Sequence, residues 1–183
     1  MKGLIFVELM NFLDEQLGDA ITERVVEAAS LPNDAAFTTV GNYPSHYAAD
    51  LVAAAARMTG ADAALMCEDF GRFLFQRFQT RFPHLLSRYT SARELLEHVQ
   101  GHIHEEVKVI YPDASPPQVE THSDIEGYTV TYRSGRGFAH IAYGLVAQCI
   151  SFYSEQSDVS WKSGSTDTQA CFIIRPRKGI YPL

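Results

Sequence analysis

The hydrophobic pattern of this chain first changes period at the DASPP run of residues 113–117, and that change constrains the fold more than any other feature. Before it, apolar residues recur at the three-to-four-residue spacing of amphipathic helices; after it, strand-like alternation dominates. Between residues 4 and 17, Ile5, Leu9, Phe12 and Leu13 mark one helix, which Gly18 stops, with Asp19 placed to cap a second. SHYAADLVAAAARMTG at 45–60 predicts an alanine-rich helix ended by Gly60, and Asp62 can cap another that carries Leu65, Met66, Phe70, Phe73, Leu74 and Phe78. Ser91 and Glu94 form a capping box at the head of one long helix that Pro112 ends. Gly101 inside it costs about 1 kcal/mol relative to alanine and marks a bend or a close contact.

Beyond the DASPP run, QVETHS and GYTVTYRS read as a β-hairpin with its turn at 124–127. Residues 137–156 return to helical spacing through Phe138, Ile141, Leu145, Cys149 and Phe152, and VSWKSGS and QACFIIRP give two further strands. The expected class is α+β: a helical N-terminal subdomain followed by an antiparallel sheet with a helix packed across one face. A single domain over residues 1–183 is expected, divided into a helical subdomain at 1–60 and a second at 61–183, with RPRKGIYPL a loosely held end.

Composition removes several classes of function. The 183 residues are 46% hydrophobic, enough to fill a core, and a net charge of −7 with scattered basic residues argues against nucleic acid as a partner. No run approaches the about 20 apolar residues of a membrane span. The first residues meet Glu8, Asp14 and Glu15 too early for a signal peptide, so they read as a helix. Three cysteines, Cys67, Cys149 and Cys171, form neither a disulfide framework nor a thiolate motif, which fits a cytoplasmic protein with buried thiols at Cys149 and Cys171.

Two constellations carry chemistry. Glu94, His98 and His102, each four residues apart, share one helix face and could hold a non-haem metal, as a binding site or a metal-dependent enzyme, although the H-E-x-x-H signature is incomplete. His104, two residues on, points about 200° round the helix toward the side of Leu96, Val107 and Tyr111. Tyr132, Ser134 and Arg136, at alternate positions of a strand, offer two hydroxyls and a guanidinium to a pair of carboxylates.

The order and spacing of MKGLIF at the start, FGRFLF at 70–75, HEEVKVIYP at 104–112, SPP at 115–117 and YRSGR at 132–136 resemble the haem nitric oxide/oxygen binding domains, found as free bacterial proteins and as the regulatory domain of soluble guanylate cyclases. The resemblance spans essentially the whole chain. It implies haem b ligated by His104, propionates held by Tyr132, Ser134 and Arg136, and a macrocycle pressed by Ile5 and Pro117. It implies a gas pocket lined by Leu9, Leu74, Phe78, Ile141 and Leu145. The tyrosine, tryptophan and asparagine with which oxygen-binding members hydrogen-bond their ligand fall here on Ile141, Leu9 and Leu74, which implies a sensor of nitric oxide, with carbon monoxide as a second gas, rather than an enzyme. Tyr143 would alter that reading if its hydroxyl entered the pocket. Some relatives carry a Cys/His zinc cluster near the C-terminal strands; Ser160 and Ser163 stand at its ligand positions here, with only Cys171 retained, and no structural zinc is expected. With no kinase, cyclase or phosphodiesterase motif present, the effector implied is a separate protein such as a histidine kinase or a cyclic-di-GMP enzyme.

Overall fold

A computed structural model describes residues 1–124 and 127–177. Four helices occupy most of the first eighty residues: α1 (Gly3–Leu17), α2 (Asp19–Ala29), α3 (His46–Thr59) and α4 (Ala63–Arg81). Local chemistry sets their ends. Gly60 takes a φ of +72°, a left-handed conformation that suits glycine, and its N–H closes α3 on the Ala56 carbonyl. The Asp62 carboxylate accepts the N–H groups of Ala64 and Leu65 at 2.7 and 3.1 Å, satisfying two donors that α4 leaves unpaired. Asp19 is the first helical residue rather than a cap, the capping position falling on Gly18.

The long helix expected from Ser91 to Pro112 is divided. After the one-turn α5 (Pro83–Leu86), too short to leave a periodic signal, α6 (Ala92–His98) gives way to a π-helical turn at Val99–Ile103, and α7 (His104–Ile110) follows. Ser91 Oγ accepts the Glu94 N–H at 3.1 Å, while the Glu94 carboxylate reaches back to the N–H and hydroxyl of Thr90, one residue before the expected partner. Gly101 lies within the π turn, and a Cβ there would meet nothing within 4 Å, so winding and not close packing accounts for it.

Strands β1 (Gln118–Asp124), β2 (Gly127–Arg133), β3 (Ser157–Trp161) and β4 (Gln169–Pro176) form an antiparallel sheet in the order β1-β2-β4-β3, with α8 (Ala139–Phe152) between β2 and β3 in sequence. Residues 125 and 126 of the expected hairpin turn, and 178–183 of the tail, lie outside the described residues.

Two apolar cores result. The first joins Phe6, Leu9, Phe12 and Leu13 of α1 with Leu51 of α3, Phe70, Phe73 and Leu74 of α4 and Ile141 of α8. The second joins Phe75 of α4 and Leu95 and Leu96 of α6 with Val146 and Cys149 of α8 and with Val130, Tyr132 and Phe172 of the sheet. Cys149 is buried as expected, whereas Cys171, on the terminal sheet strand, is only half-buried.

The cores meet where α4 crosses α8. A Cβ on Gly71 would stand 2.2 Å from the Ile141 carbonyl oxygen, and one on Gly144 would stand 1.9 Å from that of Glu68, so the crossing needs glycine on both helices. Gly144→Ala gains about 1 kcal/mol of helix propensity, but the added methyl overpacks a backbone contact, which costs about 1–3 kcal/mol or more. A net loss of stability is expected, read as a lower urea midpoint with unchanged slope; an unchanged or higher midpoint would show that the helices can separate freely.

Candidate functional site

Hydrogen bonding distinguishes the two neighbouring histidines of the central helix. Both ring nitrogens of His102 are engaged: Nδ1 meets the Tyr89 hydroxyl, and Nε2 lies 2.8 Å from the Arg88 guanidinium and 3.4 Å from the Glu106 carboxylate. His104, the first residue of α7, has a buried Nδ1 that finds no hydrogen-bond partner. Desolvation, reinforced by Lys108 and partly opposed by Glu105, lowers its pKa to about 4, so the imidazole is neutral at physiological pH. A neutral imidazole with a nitrogen to spare is the form that ligates a metal.

The trio Glu94, His98 and His102 does not assemble into a metal site. Glu94 is taken by Thr90, His98 Nδ1 lies 2.8 Å from the Glu94 carbonyl, and His102 is held by Tyr89 and Arg88. Among the described residues no group of three His, Cys, Asp or Glu converges to hold an ion.

Tyr132, Ser134 and Arg136 come together by a different route from strand alternation. β2 ends at Arg133, and the chain then bends, so that Ser134 and Arg136 lie beyond the strand. Tyr132 is buried, and its hydroxyl donates to the Arg136 carbonyl at 3.3 Å; the Arg136 N–H donates to Ser134 Oγ at 3.2 Å. The Arg136 guanidinium donates to the Ser115 carbonyl at 2.7 Å, which joins the bend to the SPP run. Burial raises the Tyr132 pKa and keeps its phenol a proton donor. A groove of about 810 Å³ runs beside this bend, lined among others by Pro117, Ser134 and Arg136.

The six apolar residues expected around a ligand all belong to the first core or pack against it. Leu9, Leu74 and Ile141 are buried in the first core, and Ile5, Phe78 and Leu145 pack against it, Leu145 touching the second core as well. Tyr143 is committed elsewhere: its hydroxyl donates to the Val159 carbonyl of β3 at 2.9 Å and its ring stacks on Trp161.

A family model described as haem-NO-binding matches residues 2–161 of the sequence. The chain belongs to the haem-NO-binding family. It is accordingly a haem-based gas-sensing domain, with haem b as the cofactor, and members of this family bind nitric oxide, dioxygen or carbon monoxide without catalysing a reaction. No curated protein matches the sequence significantly. Solved structures agree with the family in fold. The Fe(II) unliganded H-NOX protein from K. algicida superposes with a TM-score of 0.89 at 24% identity, covering 100% of both chains. The H-NOX protein from S. oneidensis in the Fe(II)NO ligation state gives 0.85 at 20% identity over 97% of this chain and 100% of its own. The I5F mutant of the T. Tengcongensis H-NOX gives 0.84 at 17% identity over 99% of this chain and 100% of its own. Among the described residues no helix is long and apolar enough to cross a membrane.

One charged residue of this haem-NO-binding domain escapes sequence reasoning. Glu8 is 2% exposed, yet it sits within the apolar run of α1, beside Leu9. Its carboxylate takes the Arg77 guanidinium at 2.8 Å, Arg81 at 3.6 Å and the Asn11 amide at 3.1 Å, tying α1 to α4. The available signal is its spacing: Leu4, Glu8 and Phe12 share one buried face, and Arg77 and Arg81 stand four residues apart.

Two measurements follow from these burials. Removing Arg77 leaves the buried Glu8 carboxylate short of its nearest cation, whereas removing Glu8 leaves an arginine that is 43% exposed and rehydrates. Arg77→Met is therefore expected to cost about 2 kcal/mol and Glu8→Leu about 1 kcal/mol or less in urea unfolding; the reverse order would show that the carboxylate is well hydrated. Burial also pushes the Cys149 thiol up to about 12 and the Cys67 thiol up to about 11. At pH 8 both remain protonated, so iodoacetamide should leave both unlabelled in the folded protein and label both in guanidinium; labelling of folded Cys149 would contradict its burial.

Proposed function

We propose that this domain senses nitric oxide through haem b ligated by the imidazole of His104, and passes the signal on by releasing α7. The unpartnered, buried Nδ1 of His104 carries the reading, because a polar nitrogen removed from water without a partner is costly unless a ligand completes its surroundings. Its neutral state supports the same role. Bound at this site, haem would supply an iron able to take a diatomic gas.

The residues of the chain do the rest. Arg136 would offer a charged donor to the propionates and Ser134 a neutral one, and Tyr132 would offer its own on exchanging the 3.3 Å bond to the Arg136 carbonyl, from a bend whose internal bonds hold the three together. Ile5 and Pro117 would press on the macrocycle. Leu9, Leu74 and Ile141, with Phe78 and Leu145, wall the gas pocket. These side chains carry no hydrogen-bond donor, and the Tyr143 hydroxyl is spent on β3. Withholding a donor disfavours dioxygen, which depends on one, and leaves nitric oxide and carbon monoxide able to bind. On sensing nitric oxide His104 would be let go, which would free α7 and let the subdomain at 1–60 turn relative to the remainder, a two-state element biased by the gas. The effector is a separate protein, such as a histidine kinase or a cyclic-di-GMP enzyme, by analogy with the family.

The reading is tested in an absorbance spectrum of the reduced protein in argon, air and nitric oxide. The unliganded spectrum should persist in air and change in nitric oxide. His104→Ala should lose bound haem by about tenfold or more, with recovery in added imidazole. A His104→Ala protein that retains haem and responds to nitric oxide as before would place the ligand elsewhere, and a stable complex in air would overturn the selectivity.

A further inference from the structure

Helix α7 is held in an unusual way. None of its seven residues is buried, and Val109 is 80% exposed near its end. At its start the π turn joins it to α6; at its end the chain turns at once, the Ala114 N–H bonding the Tyr111 carbonyl at 2.8 Å around Pro112, whose ring fixes its backbone. That turn carries Asp113 against the N-terminus of the protein. One Asp113 oxygen accepts Lys2 Nζ at 2.9 Å, and the other accepts the Asn42 amide. Lys2 Nζ also donates to the Val40 carbonyl at 3.0 Å and stands 5.2 Å above the Tyr111 ring. Lys2 and Asn42 are themselves bridged through their backbones, and the Gly3 N–H bonds Gly41 O at 2.7 Å. Gly3 begins α1, the helix of Ile5 and Leu9.

We infer that the Lys2–Asp113–Asn42 cluster is the joint through which a displacement of α7 reaches the helical subdomain at residues 1–60, with Lys2 and Asp113 as its positioning residues. The inference rests on the reading that His104 releases α7. A helix with no buried residue transmits little through packing, so its movement passes through whatever is fastened to its ends. At the far end two polar side chains from the first forty-two residues, those of Lys2 and Asn42, converge on one carboxylate. The cluster lies at the surface, Asp113 being 54% exposed, so salt weakens it. The second ionic tie to α1, from Glu8 to Arg77 and Arg81, starts from a buried carboxylate on α4's side of the helix and is not part of this path. The cluster is thus a contact network with named ends, and the proposal is that it couples them.

Hydrogen exchange of the haem-loaded protein, with and without nitric oxide, tests this. In the unaltered protein nitric oxide should change exchange both in peptides covering 104–111 and in those covering 38–43. In Asp113→Ala and in Lys2→Met, which remove the pair from opposite sides, haem absorbance should be unchanged and the response at 104–111 retained. The response at 38–43 should fall roughly threefold or more. In 1 M salt the unaltered protein should lose part of the same response. A response at 38–43 that persists undiminished in both variants would overturn the inference while leaving the sensing reading intact. No response at 104–111 in the unaltered protein would remove the reading of His104, and this inference with it.

Discussion

The crossing of α4 and α8 at Gly71 and Gly144 is the constraint on which the rest of the molecule depends. Because neither helix carries a Cβ at the contact, their backbones approach closely enough for each to serve two cores. Helix α8 delivers Ile141 to the core built by the N-terminal helices, and α4 delivers Phe75 to the core under the sheet. Leu74 and Ile141, on different helices, thereby come to share one apolar wall. Burying each such side chain is worth about 1.5–3 kcal/mol, but the position of the wall depends on the separation of two backbones. A wider crossing would keep most of the burial and lose the alignment.

Much of this was legible in the sequence wherever the determinant is local. Asp62, Gly60 and Ser91 mark helix ends because each acts on groups within a few residues, and the change of period at residues 113–117 separates α1 to α7 from the sheet and its packed helix α8 as the structure does. The strands β1 to β4 follow from alternation and β-branched residues. The departures have physical causes. The PHLL turn is too brief to show a period. The π turn escapes a periodic reading because five residues are too few to set a period, and the residue it adds shifts the faces that follow by about 100° from those of a continuous α-helix. Strand alternation carried past Arg133 mistook a bend for two more strand residues, although Ser134 and Arg136 still meet Tyr132 through hydrogen bonds of the bend. Glu8 could not be paired by any local rule, since Arg77 is 69 residues away.

The site shows the same division. Which of His102 and His104 is available to a metal cannot be read from their spacing, and the family resemblance alone favoured His104. The structure supplies an independent reason: one ring has both nitrogens occupied by Tyr89 and Arg88, and the other has a buried nitrogen with none. The apolar lining is likewise a matter of what surrounds it. Leu9 sits next to a buried carboxylate, yet that carboxylate is turned to two arginines and an amide, which keeps its charge satisfied on α4.

The π turn at Val99–Ile103 has a consequence for how such a helix can vary over time. One residue more than an α-helix needs is wound between Ser91's cap and the start of α7, and the surplus sits at an unencumbered glycine. A descendant chain that lost that residue would return to ordinary winding with both flanking segments near their present places. Insertions and deletions, ruinous in most buried helices, therefore have one point of entry here, immediately before the histidine whose aim they would adjust.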